Sequence, residues 1–206
     1  LSVKKLLNWQ QKTFLMNAVL IFCGANTGNL PVYRQAARSV GRLLAEAGKT
    51  FIYGAGKVGL MGELADEALQ AGGKVIGVIP FFLRKKEVCH EALSKLYVVD
   101  SMHERKIKMA QLSDTVIVLP GGFGTMDELF ELLTLSQLGQ GQHTIGILNI
   151  NGFYDPLIDQ LDKMVEEGFL KASNRALLVV AESTESLFEQ IQNYQPPPAE
   201  GKWIKL

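Results

Sequence analysis

The stretch Ala18-Val19-Leu20-Ile21-Phe22-Cys23-Gly24-Ala25-Asn26-Thr27-Gly28 decides the fold. Ala18 to Cys23 is an apolar run that reads as a first strand, and the glycine-bounded segment after it reads as a tight loop. Pro31 to Gly48 follows, with Ala36, Val40, Leu43 and Leu44 at helical spacing and a glycine stop. Thr50 to Tyr53 is then a second strand. Strand, loop, helix, strand is a βαβ unit, and such units build parallel sheets.

The same alternation continues outward along the chain. Gly54 to Gly59 opens a helix reaching Ala71, and Lys74 to Ile79 is a third strand ended by Pro80. Phe81 to Leu96 reads as a long loop with a short helix, and Leu96 to Val99 as a short strand. A helix is expected from about His103 to Ser113, a strand at Thr115 to Leu119, and a glycine-rich turn at Pro120 to Thr125 leading into a helix to Leu138. Thr144 to Asn149 and Ala176 to Val180 complete the strands; Asp155 to Glu167 and Thr184 to Ile191 complete the helices. The fold class is α/β: a single-domain Rossmann-like parallel sheet with helices on both faces, over residues 16–193. Residues 1–15 read as a leader or N-terminal extension, with Met16 as the native start. Residues 194–206, with Pro196-Pro197-Pro198, read as a tail that leaves the fold.

Composition narrows the function. The 206 residues are 47% hydrophobic and 20% charged, with a formal net charge of +0. A duplex-DNA or RNA binder needs a basic footprint that this chain lacks. Cys23 and Cys89 fit no metal-ligand spacing, and the three histidines, His90, His103 and His143, form no HExxH pair. No metal and no cofactor is therefore expected. No apolar run approaches the length of a membrane span, and the cysteine usage fits a cytoplasmic setting.

In an open parallel sheet, ligands bind beyond the carboxyl ends of the strands. Glycine-rich turns fall there after the first strand, after the second and after Leu119, each feeding a helix N-terminus that favours an anion. The second of them matches GxGxxG, the dinucleotide fingerprint. However, the strand after it ends Val78-Ile79-Pro80-Phe81, without the carboxylate that holds a ribose. Gly48-Lys49-Thr50 resembles the end of a P-loop, but Leu43 stands where that motif requires glycine.

The third turn, Pro120-Gly121-Gly122-Phe123-Gly124-Thr125-Met126-Asp127-Glu128, can form an anion nest from its N–H groups and the Thr125 hydroxyl. Glu128 is expected in the first helical turn. There it either complements the helix dipole or addresses another part of the same ligand, such as a ribose or an attacking water. Glu131, three residues on, reads as solvent-facing. In Ser101-Met102-His103-Glu104-Arg105-Lys106, Arg105 shares a helix face with Met109 and Leu112. It is either a clamp for a phosphate or carboxylate, or part of an ordinary charged helix start.

Together, Met102-His103-Glu104-Arg105-Lys106 and Pro120 to Glu128 resemble the M-H-x-R-K and P-G-G-x-G-T-x-x-E segments of the Lonely Guy (LOG) family. Phe22-Cys23-Gly24, Tyr53-Gly54 through Met61-Gly62, Ile79-Pro80, Leu83, Glu87, His90 and Asn151 to Asp155 fall in the family's order, so the resemblance spans Ala18 to Leu187. It implies a cytokinin riboside 5′-monophosphate phosphoribohydrolase that releases a free purine base and ribose 5-phosphate, with AMP as a substrate in many members. It implies Arg105 and Glu128 as the catalytic pair. Ligand contacts would come from Gly24, Gly54, Gly56, Gly59, Met61, Glu87, Met102, Lys106, Gly121, Gly122, Phe123, Gly124, Thr125 and Asp127. A homodimer with the site near the interface is implied as well.

Such proteins are often labelled lysine decarboxylases, yet no residue here marks a pyridoxal phosphate lysine. Ala55 and Lys57 depart from the family's second loop, and Ala25-Asn26 from its first, which bears on substrate preference. Three rival readings remain: a broader purine or pyrimidine nucleotide nucleosidase, a non-catalytic nucleotide-binding module, and a structural protein whose rim loops are accidental.

Overall fold

The structure is a computed structural model of the chain, describing residues 16–84, 89–141 and 143–197. Among these residues seven strands form one sheet: β1 (Ala18–Phe22), β2 (Thr50–Tyr53), β3 (Lys74–Pro80), β4 (Lys95–Val99), β5 (Thr115–Val118), β6 (Thr144–Leu148) and β7 (Leu178–Ala181). All six pairings are parallel, in the order β4-β3-β2-β1-β5-β6-β7. The order reverses at β1, which pairs with β2 on one side and β5 on the other. That reversal makes a crevice outside the strand ends, because the chain leaves β1 and β5 in opposite directions.

Among the described residues eight helices accompany the sheet: α1 (Pro31–Glu46), α2 (Gly59–Gln70), α3 (Phe81–Arg84), α4 (Met102–Gln111), α5 (Phe123–Gln137), α6 (Asp155–Glu166), α7 (Ala172–Arg175) and α8 (Thr184–Asn193). Alternate residues of each strand feed opposite faces, as a pleated sheet requires. Val19 and Ile21 of β1, with Phe51 and Tyr53 of β2, pack under Val40 and Leu44 of α1, Leu64 of α2 and Leu187 of α8. On the other face, Leu20, Phe22 and Ile52 pack under Met109 of α4, Leu129 of α5 and Leu161 of α6. Both faces are covered, which is why the strands read as continuous apolar runs.

Local chemistry sets the helix ends. Pro31 starts α1, where a missing N–H costs nothing. Ser101 caps α4 by accepting from the Glu104 N–H at 3.1 Å, while Glu104 accepts from the Asp100 N–H at 3.0 Å.

Three expectations are corrected. A 3-10 turn at Ile150–Gly152 and the one-turn α7 are additional elements. β7 begins at Leu178, because Ala172 to Arg175 coil before it. On α5, Leu129 and Leu132 are buried, whereas Phe130 and Leu135 are exposed, as is Leu138 at its C-cap. The helix also begins at Phe123, so Glu128 is its sixth residue and stands in the second turn. The expected leader over residues 1–15 lies outside the described residues.

Candidate active site

A cleft of about 420 Å³ opens at the switch point between β1 and β5, within the range of small-molecule sites. Backbone hydrogen bonds stitch its floor together: the Gly24 N–H donates to the Pro120 carbonyl at 3.0 Å, and the Leu60 N–H to the Gly24 carbonyl at 3.1 Å. Loops after three strands are thereby held as one surface.

The β5–α5 turn supplies the donors. Gly122 caps α5 without a side-chain hydrogen bond, leaving the first-turn N–H groups available to a ligand. Thr125 is buried and packs directly against Gly121, where no Cβ fits. A Cβ on Gly122 or Gly124 would meet nothing within 4 Å, so both border open space.

Arg105 approaches from α4 and is buried, 8% exposed. Its Nε donates to the Val78 carbonyl and its Nη2 to the Gly54 carbonyl, both at 3.2 Å, while Nη1 lies 3.8 Å from the Met102 sulfur. Among the described residues its hydrogen-bond partners are thus two strand-end carbonyls and a thioether, none of which neutralises the guanidinium. Its charge acts on the cleft, where Glu128 is the carboxylate that it reaches electrostatically.

Glu128 lines the same cleft, partly accessible. Burial pushes its carboxyl up to about 7; Arg105 and Lys106 oppose that rise, while Asp127 and Glu131 add to it. The helix dipole falls off within the first turn. From the second turn, Glu128 gains little by complementing it, so dipole complementarity does not explain a carboxylate there. An acid poised near neutrality in a cleft is a mark of a functional site. Cys23, also in the lining, has its thiol pushed far up by burial and by the Glu128 charge, so it is not a thiolate nucleophile.

Of the residues singled out from sequence, Gly24, Met61, Arg105, Gly121, Gly122, Gly124, Thr125 and Glu128 line the cleft together. Gly54, Gly56 and Gly59 are not among its lining residues. A Cβ at Gly54 would overlap the Arg105 guanidinium, at Gly56 it would touch Met61, and at Gly59 it would overlap the Ala25 backbone. Met102 contacts Arg105, and Phe123 projects to solvent, 97% exposed. Lys106 bonds Asp127 at 3.1 Å and Glu131 at 2.6 Å, so Glu131 does not face solvent freely as the sequence suggested. Glu87 lies outside the described residues.

Tyr33 and Phe153 are lining residues that the sequence did not mark; their rings meet edge to face at 5.9 Å. Phe153 is set by the 3-10 turn, after which Asn149 accepts from the Tyr154 N–H at 2.8 Å and the Tyr154 hydroxyl donates to the Leu119 carbonyl at 2.7 Å. The familiar Asn151 to Asp155 segment was the available signal. His90 is buried and structural: it accepts from the Ala92 N–H at Nδ1 and meets Asp66 through Nε2 at 2.9 Å. No group of three or more His, Cys, Asp or Glu among the described residues is placed to hold a metal. Nor is any described helix long and apolar enough to cross a membrane.

A family model described as possible lysine decarboxylase matches residues 61–191. The probable cytokinin riboside 5′-monophosphate phosphoribohydrolase LOGL1 of Oryza sativa subsp. japonica is 43% identical over 176 residues, covering 85% of this chain and 79% of its own length. The cytokinin riboside 5′-monophosphate phosphoribohydrolase LOG7 of Arabidopsis thaliana is 40% identical over 179 residues, covering 86% and 82%. The chain belongs to the LOG family. In fold, this LOG-family chain also matches the Moco carrier protein from Chlamydomonas reinhardtii, with a TM-score of 0.64 over 86% of this chain and 96% of that one. At 17% identity, that likeness concerns the fold.

Proposed function

We propose that this chain hydrolyses the N-glycosidic bond of adenine nucleoside 5′-monophosphates, with or without an N6-substituent, to free base and ribose 5-phosphate. The relatives' names support the reaction class. The observation that carries the reading is the shared cleft: Glu128, raised toward neutrality, stands beside the open N-terminus of α5 and the unneutralised Arg105.

Cleaving the bond builds positive charge on the ribose. The α5 turn, Gly121 to Thr125, holds the 5′-phosphate, so that binding at a non-reacting group positions C1′. Ionised Glu128 stabilises the cation at C1′ and orients the attacking water. The C1′–N bond breaks as the water oxygen bonds to C1′; the base leaves with the bonding pair and takes a proton from solvent, while the water proton passes to Glu128 and from there back to solvent. Arg105, anchored to the ends of β2 and β3, favours the ionised form of Glu128. Turnover therefore rises as pH rises through about 7, where Glu128 loses its proton. A pyridoxal phosphate mechanism needs a lysine in the site, and no described residue lining the cleft is one.

A homodimer fits the surface: Met102 and Ile107 of α4, Phe130 and Leu135 of α5 and Leu138 at its C-cap are exposed apolar residues on or beside the helices that carry Arg105 and Glu128. A cytosolic location fits the two cysteines, which are both thiols.

Incubation with AMP and with isopentenyladenosine monophosphate, followed by chromatography of bases, tests the reading. Free base from either substrate is expected with the wild type and not with Glu128→Gln. Nucleotide binding without any base release would leave only a binding module.

A further inference from the structure

Lys106 follows Arg105 on α4, and its ammonium sits between two carboxylates of α5: Asp127 at 3.1 Å and Glu131 at 2.6 Å. Asp127 and Glu131 are i and i+4 on α5, so they share a face, and Glu128 projects from the adjoining one. The two helices thus meet twice, side by side. Arg105 and Glu128 share the cleft, while Lys106 with Asp127 and Glu131 forms a bridge next to it that is not part of the lining. Arg105 is already fixed to the sheet through the Val78 and Gly54 carbonyls. A two-point tie from the next residue of α4 to α5 therefore fixes the rotation of α5, and with it the direction of Glu128, relative to the sheet ends.

We infer that Glu131 is a positioning residue for the reaction proposed above: through Lys106 it locks the first turns of α5 to α4 and so sets where Glu128 stands and what charge surrounds it. The inference rests on that proposed hydrolysis. It also departs from the ligand contact that family resemblance implies for Lys106, since here the ammonium is engaged by two carboxylates. Its Nζ is held in the charged form chiefly by the Glu131 hydrogen bond, and then by Asp127.

The groups acting on Glu128 are Arg105 and Lys106 from α4 and Asp127 and Glu131 from α5; Cys23, at the end of β1, is neutral. Removing the Glu131 charge takes away one of the two anions that oppose ionisation of Glu128 and leaves Lys106 less neutralised. Both changes favour the carboxylate.

The test uses the full chain with AMP as substrate and three proteins besides wild type: Glu131→Gln, Glu131→Lys, and the swap of Lys106→Glu with Glu131→Lys. Glu131→Gln is expected to lower kcat about threefold, with KM within about twofold, and to move the acid limb of the kcat profile to lower pH by roughly half a unit, as a lost charge at a partly solvated bridge would. Glu131→Lys sets two ammonium groups face to face and is expected to lower kcat about thirtyfold. The swap again places two carboxylates around one ammonium and is expected to bring kcat back to within about threefold of wild type.

A swap that stays as slow as Glu131→Lys with a raised KM would show that Lys106 touches substrate, and would overturn the inference. An acid limb that Glu131→Gln leaves in place would overturn it too. The ionisation is also read without turnover, from the carboxyl carbon-13 NMR titration of Glu128, assigned by its absence in Glu128→Gln. Coincident titrations in wild type and Glu131→Gln sink the inference whatever the chain hydrolyses. Absence of base release by wild type sinks the hydrolase reading instead.

Discussion

A Cβ placed on Gly54 would overlap the guanidinium of Arg105, and one placed on Gly59 would overlap the backbone of Ala25. The same Cβ placed on Gly122 or Gly124 would meet no atom within 4 Å. Both loops carry three glycines at the head of a helix, α2 in one case and α5 in the other. In the β2–α2 loop the glycines admit other parts of the protein: Arg105 reaches the Gly54 carbonyl, and the first loop lies on Gly59. In the β5–α5 turn Gly122 and Gly124 keep room for something the protein does not supply. The GxGxxG spacing thus belongs to the loop that packs, and the open space to the loop without that spacing. Glycine spacing reports a close approach and does not say whether a ligand or the protein makes it.

The comparison can be broken by substitutions. The largest effect on turnover belongs to Glu128→Gln, expected to lower kcat by about 10²- to 10⁴-fold while folding stays intact. The same substitution changes stability with pH. Burial raises the Glu128 carboxyl to about 7 from an ordinary value near 4.5, so the native state binds the proton more tightly than the unfolded one. Folding is then unpenalised below about 4.5 and penalised increasingly as pH rises through 7. Glu128→Gln should therefore be more stable than wild type at pH 8, by about 3 kcal/mol at most, and close to it at pH 4.5. Denaturant titrations at both pH values check this; equal stability at pH 8 contradicts the burial argument.

Gly54→Ala and Gly59→Ala come next, each expected to cost about 2–4 kcal/mol, because a buried guanidinium or a backbone segment must shift. Gly59 adds a positive φ of 65° that alanine adopts poorly. Melting temperatures lower by roughly 5–10 °C are expected, and Gly54→Ala should lose turnover as well, since Arg105 loses its seat. Smallest in stability are Gly122→Ala and Gly124→Ala, with melting within about 2 °C of wild type. They should instead raise KM for AMP about tenfold, by filling space beside the α5 donors. A large melting loss in these two, with KM unchanged, would invert the comparison.

Much of this was legible because it is local. The apolar runs and glycine stops place every strand to within about two residues, and the face shared by Arg105 and Met109 points Arg105 at the sheet. What escaped depends on partners distant in sequence. Glu131 looks solvated when α5 is read alone, and its partner Lys106 lies on another helix. Tyr33 and Phe153 enter the cleft from α1 and from the β6–α6 connection, which meet only once the sheet is assembled. Asn151, at φ 53°, turns the chain into the 3-10 segment in a conformation that asparagine tolerates, but its name alone does not announce it. Glu128 reads as a first-turn residue from sequence, but the helix starts inside the glycine turn, at Phe123, which sets it one turn later.

The two hydrophobic layers give the cleft separate foundations. Met109 beneath Arg105 and Leu129 beside Glu128 belong to one face of the sheet, whereas Val40 of α1 and Leu64 of α2, behind the first two loops, belong to the other. Drift in the first layer carries the two charged groups together and preserves their relation to each other. Drift in the second moves the neighbouring rim and reaches that pair through the Gly54 carbonyl that seats Arg105. The rim can thus be reshaped from one side of the sheet at little cost to the charged pair wherever the Gly54 seat keeps its place.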